Sequence, residues 1–220
     1  MKRLPGLLLL TAFFACCAAC KKMVDLPPDK PKTTLMNVVN ATADTLNTFQ
    51  NGTRFNYTSS FYPGGSLGYL SVIAGEYPYQ IKKAGSPDVL LALPLKVDTA
   101  QAYSLFITGY AIDRVFLTND VFLANNDTEI RFVNTSPNRS FDIKIGSNFN
   151  YANRAFKSVT PFVAMTAGKS TYQLYEAGGS VPIATGELNL TANRVYTLFT
   201  KGTATGTGDA AFGVKLILNR

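Results

Sequence analysis

The sequence predicts an all-β protein: two tandem antiparallel β-sandwiches behind an N-terminal export signal. Three observations carry this reading. The chain states one pattern twice: Val39-Asn40, Gly52 and Phe55-Asn56-Tyr57 recur as Val133-Asn134, Gly146 and Phe149-Asn150-Tyr151, each 94 positions on. Such self-similarity marks duplicated structural units. No segment of helical length shows a clean 3.6-residue apolar period, whereas short apolar runs abound. Turn residues punctuate those runs every eight to twelve positions or so, as in a sandwich of about seven short strands.

The first nineteen residues read as a signal. Lys2 and Arg3 form a positive start, and Leu7–Phe14 is an apolar core too short to span a bilayer. Cys17-Ala18-Ala19-Cys20 resembles a bacterial lipobox, with Cys17 standing where an aliphatic residue is usual; Cys16, with Phe13 in that place, is the weaker alternative. The resemblance implies cleavage before Cys20 and lipid attachment at Cys20. All three cysteines fall in this region, so the mature chain would have no thiol, disulfide or thiolate metal site. Residues 20–33 form a tether, rich in proline and lysine and with little to bury.

The first repeat, 34–122, opens with strands at Thr34–Asn40 and Leu46–Gln50. Asn51-Gly52 signals a tight hairpin turn, because both residues accept positive φ. Further strands follow at Tyr69–Ile73, Tyr77–Lys82, Val89–Leu95 (read as buried), Ala102–Thr108 and Arg114–Thr118. The second repeat, 123–220, gives Glu129–Asn134, Phe141–Ile145, Phe162–Thr166, Thr171–Tyr175, Ile183–Asn189, Val195–Lys201 and Gly213–Leu218. Polar Asn119–Asp127 is the expected junction, and each repeat is expected to fold alone.

Tyr103 and Tyr196 each lie six positions after an aliphatic residue, Val97 and Leu190. A tyrosine so placed resembles a tyrosine corner, whose hydroxyl returns to upstream backbone, and makes the sandwiches immunoglobulin-like. Arg131–Pro137 (RFVNTSP), Ala167-Gly168 and Tyr196-x-Leu-Phe-x-x-Gly202 together resemble the domain-of-unknown-function family 4397. The first repeat departs from that pattern at Asn37 and Ala43, where the second has Arg131 and Pro137. The resemblance implies an immunoglobulin-like fold in a cell-envelope setting and brings no catalytic residues.

Composition narrows the chemistry. The chain has no histidine, which removes the usual general base and the commonest metal ligand. Its carboxylates are scattered, and no cofactor or metal is expected. Asn119, Asp120, Asn125, Asn126 and Asp127 offer oxygen ligands for calcium, but their spacing matches no ligand loop and the stretch reads as a polar linker. Gly202–Gly208 lacks the lysine of a phosphate loop. The formal +7 falls by two when Lys2 and Arg3 leave, and the remaining charges are dispersed, so nucleic acid is not an expected partner.

Phe61 and Tyr62, in the non-repeating insert Thr58–Ser66, are the candidate contact surface, since exposed rings suit sugars and protein interfaces. Asp44-Thr45-Leu46 and Asp98-Thr99-Ala100 make Thr45 and Thr99 candidate O-glycosylation sites. The expectation is a lipid-anchored outer-membrane protein, on either face, that is not an enzyme and binds a glycan or an envelope protein. A passive spacer or assembly subunit is the alternative, and a hydrolase has least support. Replacing Cys20 with Ser should release the protein into the soluble fraction, while replacing Cys16 or Cys17 should not; a Cys20 variant still in the membrane pellet would overturn the lipobox.

Overall fold

A computed structural model of the chain describes residues 30–57, 60–122 and 127–220. The signal and the three cysteines, Cys20 included, lie outside these residues.

In the first repeat, β1 (Thr33–Asn40) lies between β4 (Ser66–Ile73) and β7 (Ala102–Ile107), with β8 (Val115–Asn119) completing the sheet β4-β1-β7-β8. A second sheet, β3-β2-β5-β6, is built from β2 (Leu46–Gln50), β3 (Thr53–Arg54), β5 (Gly75–Lys83) and β6 (Val89–Val97). The second repeat reproduces both sheets. One is β12-β9-β15-β16, from β9 (Thr128–Val133), β12 (Val163–Met165), β15 (Val195–Lys201) and β16 (Gly213–Leu218). The other is β11-β10-β13-β14, from β10 (Phe141–Ile145), β11 (Phe149–Arg154), β13 (Gly168–Glu176) and β14 (Pro182–Leu190). Neighbours pair antiparallel except β1 with β7 and β9 with β15, which are parallel at matching places.

Local chemistry explains the corners. Asn51 and Gly52 adopt φ of 47° and 79°, the two positive values the tight turn requires. The Tyr103 hydroxyl accepts from the Asp98 N–H at 3.2 Å, and the Tyr196 hydroxyl from the Thr191 N–H at 2.9 Å. Both tyrosine corners therefore exist. The sequence reading missed β11, whose sequence FNYANR is too polar to read as a strand. It forms because Phe149 and Tyr151 return beside Ile145 and Ile143 of β10. Val89–Leu95, read as buried, is an edge strand whose Ala92 and Pro94 face outward; an edge tolerates proline because no neighbour needs its N–H.

Three apolar clusters lie between four sheets. Met36, Val38, Leu46, Tyr79, Ile81, Leu105 and Ile107 fill the first sandwich. Ile130, Phe132, Phe141, Ile143, Leu174 and Leu198 fill the second. The third is shared: Val39, Ala41 and Phe106 of the first repeat meet Val133, Phe199 and Ile217 of the second. The Phe106 and Phe199 ring centroids are 6.4 Å apart. Side chains alternate along a strand, so β1, β7, β9 and β15 each send one row into their own sandwich and the other into this seam.

Polar groups lie in the seam too, and a set of them forms one connected cluster. Arg131 Nη1 lies 2.6 Å from Asp120 Oδ1, with side chains 2% and 0% exposed. Arg131 Nε donates to Thr197 Oγ1 (2.9 Å) and Nη2 to Ser104 Oγ (3.1 Å), and its guanidinium lies 4.5 Å from the centre of the Phe162 ring. Asp120 also accepts from Ser104 (2.6 Å), Thr118 (2.9 Å) and the Tyr69 hydroxyl. Asn219 joins by donating to Tyr69 (3.2 Å) and accepting from Thr197 (2.7 Å). Asp120 is thus a structural anion rather than part of a solvated linker.

The expectation of separable halves is revised accordingly: residues 31–220 form one unit, and parting the halves would strip a shared core and a buried ion pair. Replacing Arg131 with Met strands the Asp120 carboxylate in the seam. It should cost roughly 3–5 kcal/mol, as breaking a buried pair does. Denaturant unfolding followed by tyrosine fluorescence should show one transition for both halves, shifted as a whole; two separate transitions would contradict the shared seam.

Candidate functional site

In each repeat the parallel strands, β1 with β7 and β9 with β15, run in one direction. Thr33, where the tether joins β1, lies at one end, and Asn40 at the other. The eight residues of β1 put its ends about 23 Å apart. The far end carries the loops after β1, β7, β9 and β15.

These loops are folded by the repeated asparagines. Asn40 Oδ1 accepts from the Thr42 N–H (3.0 Å), while its Nδ2 donates to the Asp44 and Phe61 carbonyls (2.8 and 3.1 Å). Asn134 does the same, accepting from the Ser136 N–H (2.9 Å) and donating to the Arg139 and Arg154 carbonyls (both 2.8 Å). An asparagine is needed because one side chain must both accept and donate. This is the structural reason for the duplicated Val-Asn.

The two loop sets meet around an open cleft of about 250 Å³ at the end of the seam. Ala41–Asp44 and Thr108–Tyr110 line it from the first repeat, and Thr135, Pro137, Gly202, Thr203 and Ala210 from the second. Its walls are rich in hydroxyls. The Tyr110 hydroxyl donates to Asp44 Oδ2 at 2.7 Å, and Lys83 Nζ lies 2.6 Å from the other Asp44 oxygen. Lys83 and then Tyr110 hold the Asp44 carboxyl below its ordinary value, so it stays ionised. Burial, with Asp44 beside it, pushes the Tyr110 hydroxyl up to about 12, so it remains a donor.

The family comparison fits this duplicated geometry. A model described as "Domain of unknown function (DUF4397)" matches residues 34–144 and again 128–219. The chain belongs to the DUF4397 family. In this DUF4397 chain the matched segments hold both tyrosine corners, both loop-folding asparagines and the seam arginine. No curated protein matches the chain. Among solved structures, it is similar to CBMbc (family CBM26) from Eubacterium rectale Amy13K, crystallised with maltoheptaose. That match has 9% identity over 86% of this chain and 97% of the other, with a TM-score of 0.28. It is also similar to the Bacillus anthracis TIE protein, at 13% identity over 85% of this chain and a TM-score of 0.25; the alignment spans 44% of that protein. Likenesses at these scores carry no argument about function.

The structure separates the predicted contact pair. Phe61, 1% exposed, is core: it bridges Leu46 and packs among Met36, Tyr79 and Ile81. It cannot offer its ring to a partner. Tyr62 is 64% exposed, and its loop is tied through Gly64 and Gly65 to Asn40, the residue before Ala41 of the cleft. Thr99 is exposed in the turn before β7, and Thr45 is half-buried beside Asp44. Sequence reading missed Tyr110 and the Thr135–Pro137 wall, which become neighbours only when the seam closes. Among the described residues there is no metal-binding cluster of three or more Cys, Asp or Glu side chains. Phe61→Ala should destabilise the fold by about 3–5 kcal/mol through the cavity it leaves, and Tyr62→Ala should leave the melting temperature within a degree or two. Equal effects in thermal melts would refute this division.

Proposed function

We propose that the chain is a non-catalytic binding module, anchored at the outer membrane through a lipid on Cys20, that presents its loop end to a saccharide. One observation carries this reading. Matching loops of the two repeats converge, at the end farthest from the tether, on a cleft walled by threonine hydroxyls, Tyr110 and the ionised Asp44. Fixed hydroxyl and carboxylate groups beside an aromatic ring suit a neutral polyhydroxylated ligand, whose hydroxyls both donate and accept. Tyr62, on an adjoining loop, adds a ring on which a sugar face can stack.

Catalysis has little support in the same groups. A general acid needs a carboxyl raised toward neutrality, and Asp44 is held down. The chain supplies no histidine to act instead. Residues 20–33 serve as the tether, and residues 34–122 and 123–220 as the two repeats. Binding at a loop end backed by rigid sheets is a common division of labour in sandwiches.

Mature protein should capture a glycan on an array. Tyr110→Phe and Tyr62→Ala should each weaken that binding tenfold or more, without a shift in melting temperature. Because the Asp44 carboxyl is depressed on folding, its charge contributes above its ordinary value of 3.8 and is lost only as pH falls through the lowered folded value. Binding should therefore be flat from neutral pH to about 4, the ordinary carboxyl range, and decline only in stronger acid. Capture of an envelope protein by the same end would replace the saccharide with a protein partner. A protein that captures neither is a spacer.

A further inference from the structure

The seam has an approximate two-fold relation, which the centre of its apolar half obeys, although Ala41 answers to Thr135 and Ile217 to Thr118. Val39 mirrors Val133, and Phe106 mirrors Phe199. Strand pairing extends the correspondence: Tyr103 faces Asn119 as Tyr196 faces Leu218, so the next residues, Asp120 and Asn219, are mirror positions. Ser104 likewise mirrors Thr197, and Asn37 mirrors Arg131. The ion pair Arg131–Asp120 thus has a neutral reflection, Asn37–Asn219. Asn219 is engaged with Thr197 and Tyr69, whereas the Asn37 amide is fully buried with no hydrogen-bond partner at either atom.

We propose that this asymmetric ion pair makes the seam heterotypic, accepting only the complementary repeat and rejecting a second copy of either one. The valines and phenylalanines are the same on both sides and cannot tell one repeat from the other. The charges can. Second repeat against second repeat would set each Arg131 against Asn219, so the guanidinium would lose the carboxylate that faces it across the native seam. First against first would set each Asp120 against Asn37, burying a carboxylate without a cation. An unpaired buried charge is heavily penalised, so repulsive placement supplies specificity that apolar contact lacks. The only pairing that satisfies both ions is first repeat with second. The consequence is a protein whose copies, crowded together, do not exchange like halves into dimers.

Two experiments on the full mature chain test this. Unfolded and refolded at high concentration, the native chain should elute as a monomer by light scattering. D120N/R131N, with a neutral seam, should give a dimer fraction that grows with concentration. An equal dimer fraction in both proteins would overturn the proposal. In thermal melts, N37R should lower the melting temperature by about 10 °C, the scale expected for an unpaired buried charge in a chain of this size, and N37R/N219D should regain most of that loss by rebuilding the pair at the mirror site. If N219D recovers nothing, the two positions are not reflections of each other and the proposal fails, whatever the refolding result.

Discussion

A guanidinium removed from water must find both countercharge and hydrogen bonds, and Arg131 finds its countercharge across the seam. Its carboxylate comes from the end of β8, one hydroxyl from β7 and another from β15. Those groups converge only if two sheets from different repeats lie face to face in one register. Apolar surfaces can slide against each other with modest loss, while this cluster cannot. The seam fixes the relation of the halves, and that relation creates the cleft at the loop end.

Much of the fold was legible because it rests on local chemistry stated twice. The Asn51-Gly52 turn, Tyr103 and Tyr196, and the alternating strands are recognisable without knowing what lies across from them. The seam was not legible in this way. Asn37, Ser104, Arg131 and Thr197 interrupt strands that are buried on both faces, so the continuous apolar run that would announce such burial is absent. Arg131 was visible as a family letter, and its divergence to Asn37 was visible too. Neither could be interpreted before the mirror relation was known. Phe61 illustrates the opposite error: without a counterpart in the other repeat it looked functional, yet it fills the core where the first repeat has only a short β3.

The candidate site was half legible for a related reason. Asn40 and Asn134 stood out by repetition, and their work is to fold loops rather than to touch a ligand. Tyr110 and Asp44 have no equivalents in the second repeat, where Thr203 and Asn138 take their places, so repetition gave no pointer to them. Duplication marks the scaffold, and the departures from it mark where the two copies have been given different work.

The entry of the chain into β1 has a mechanical consequence. Any pull transmitted along residues 20–32 reaches the domain at Thr33 and acts along the length of β1. That strand is bonded on both flanks, antiparallel to β4 and parallel to β7. Force along its axis loads both ladders in shear, so that many hydrogen bonds must yield together rather than one after another. The strand that the chain enters first is thereby the one best placed to resist unravelling, and a load on the loop end is borne by the sheet before it can peel the fold apart.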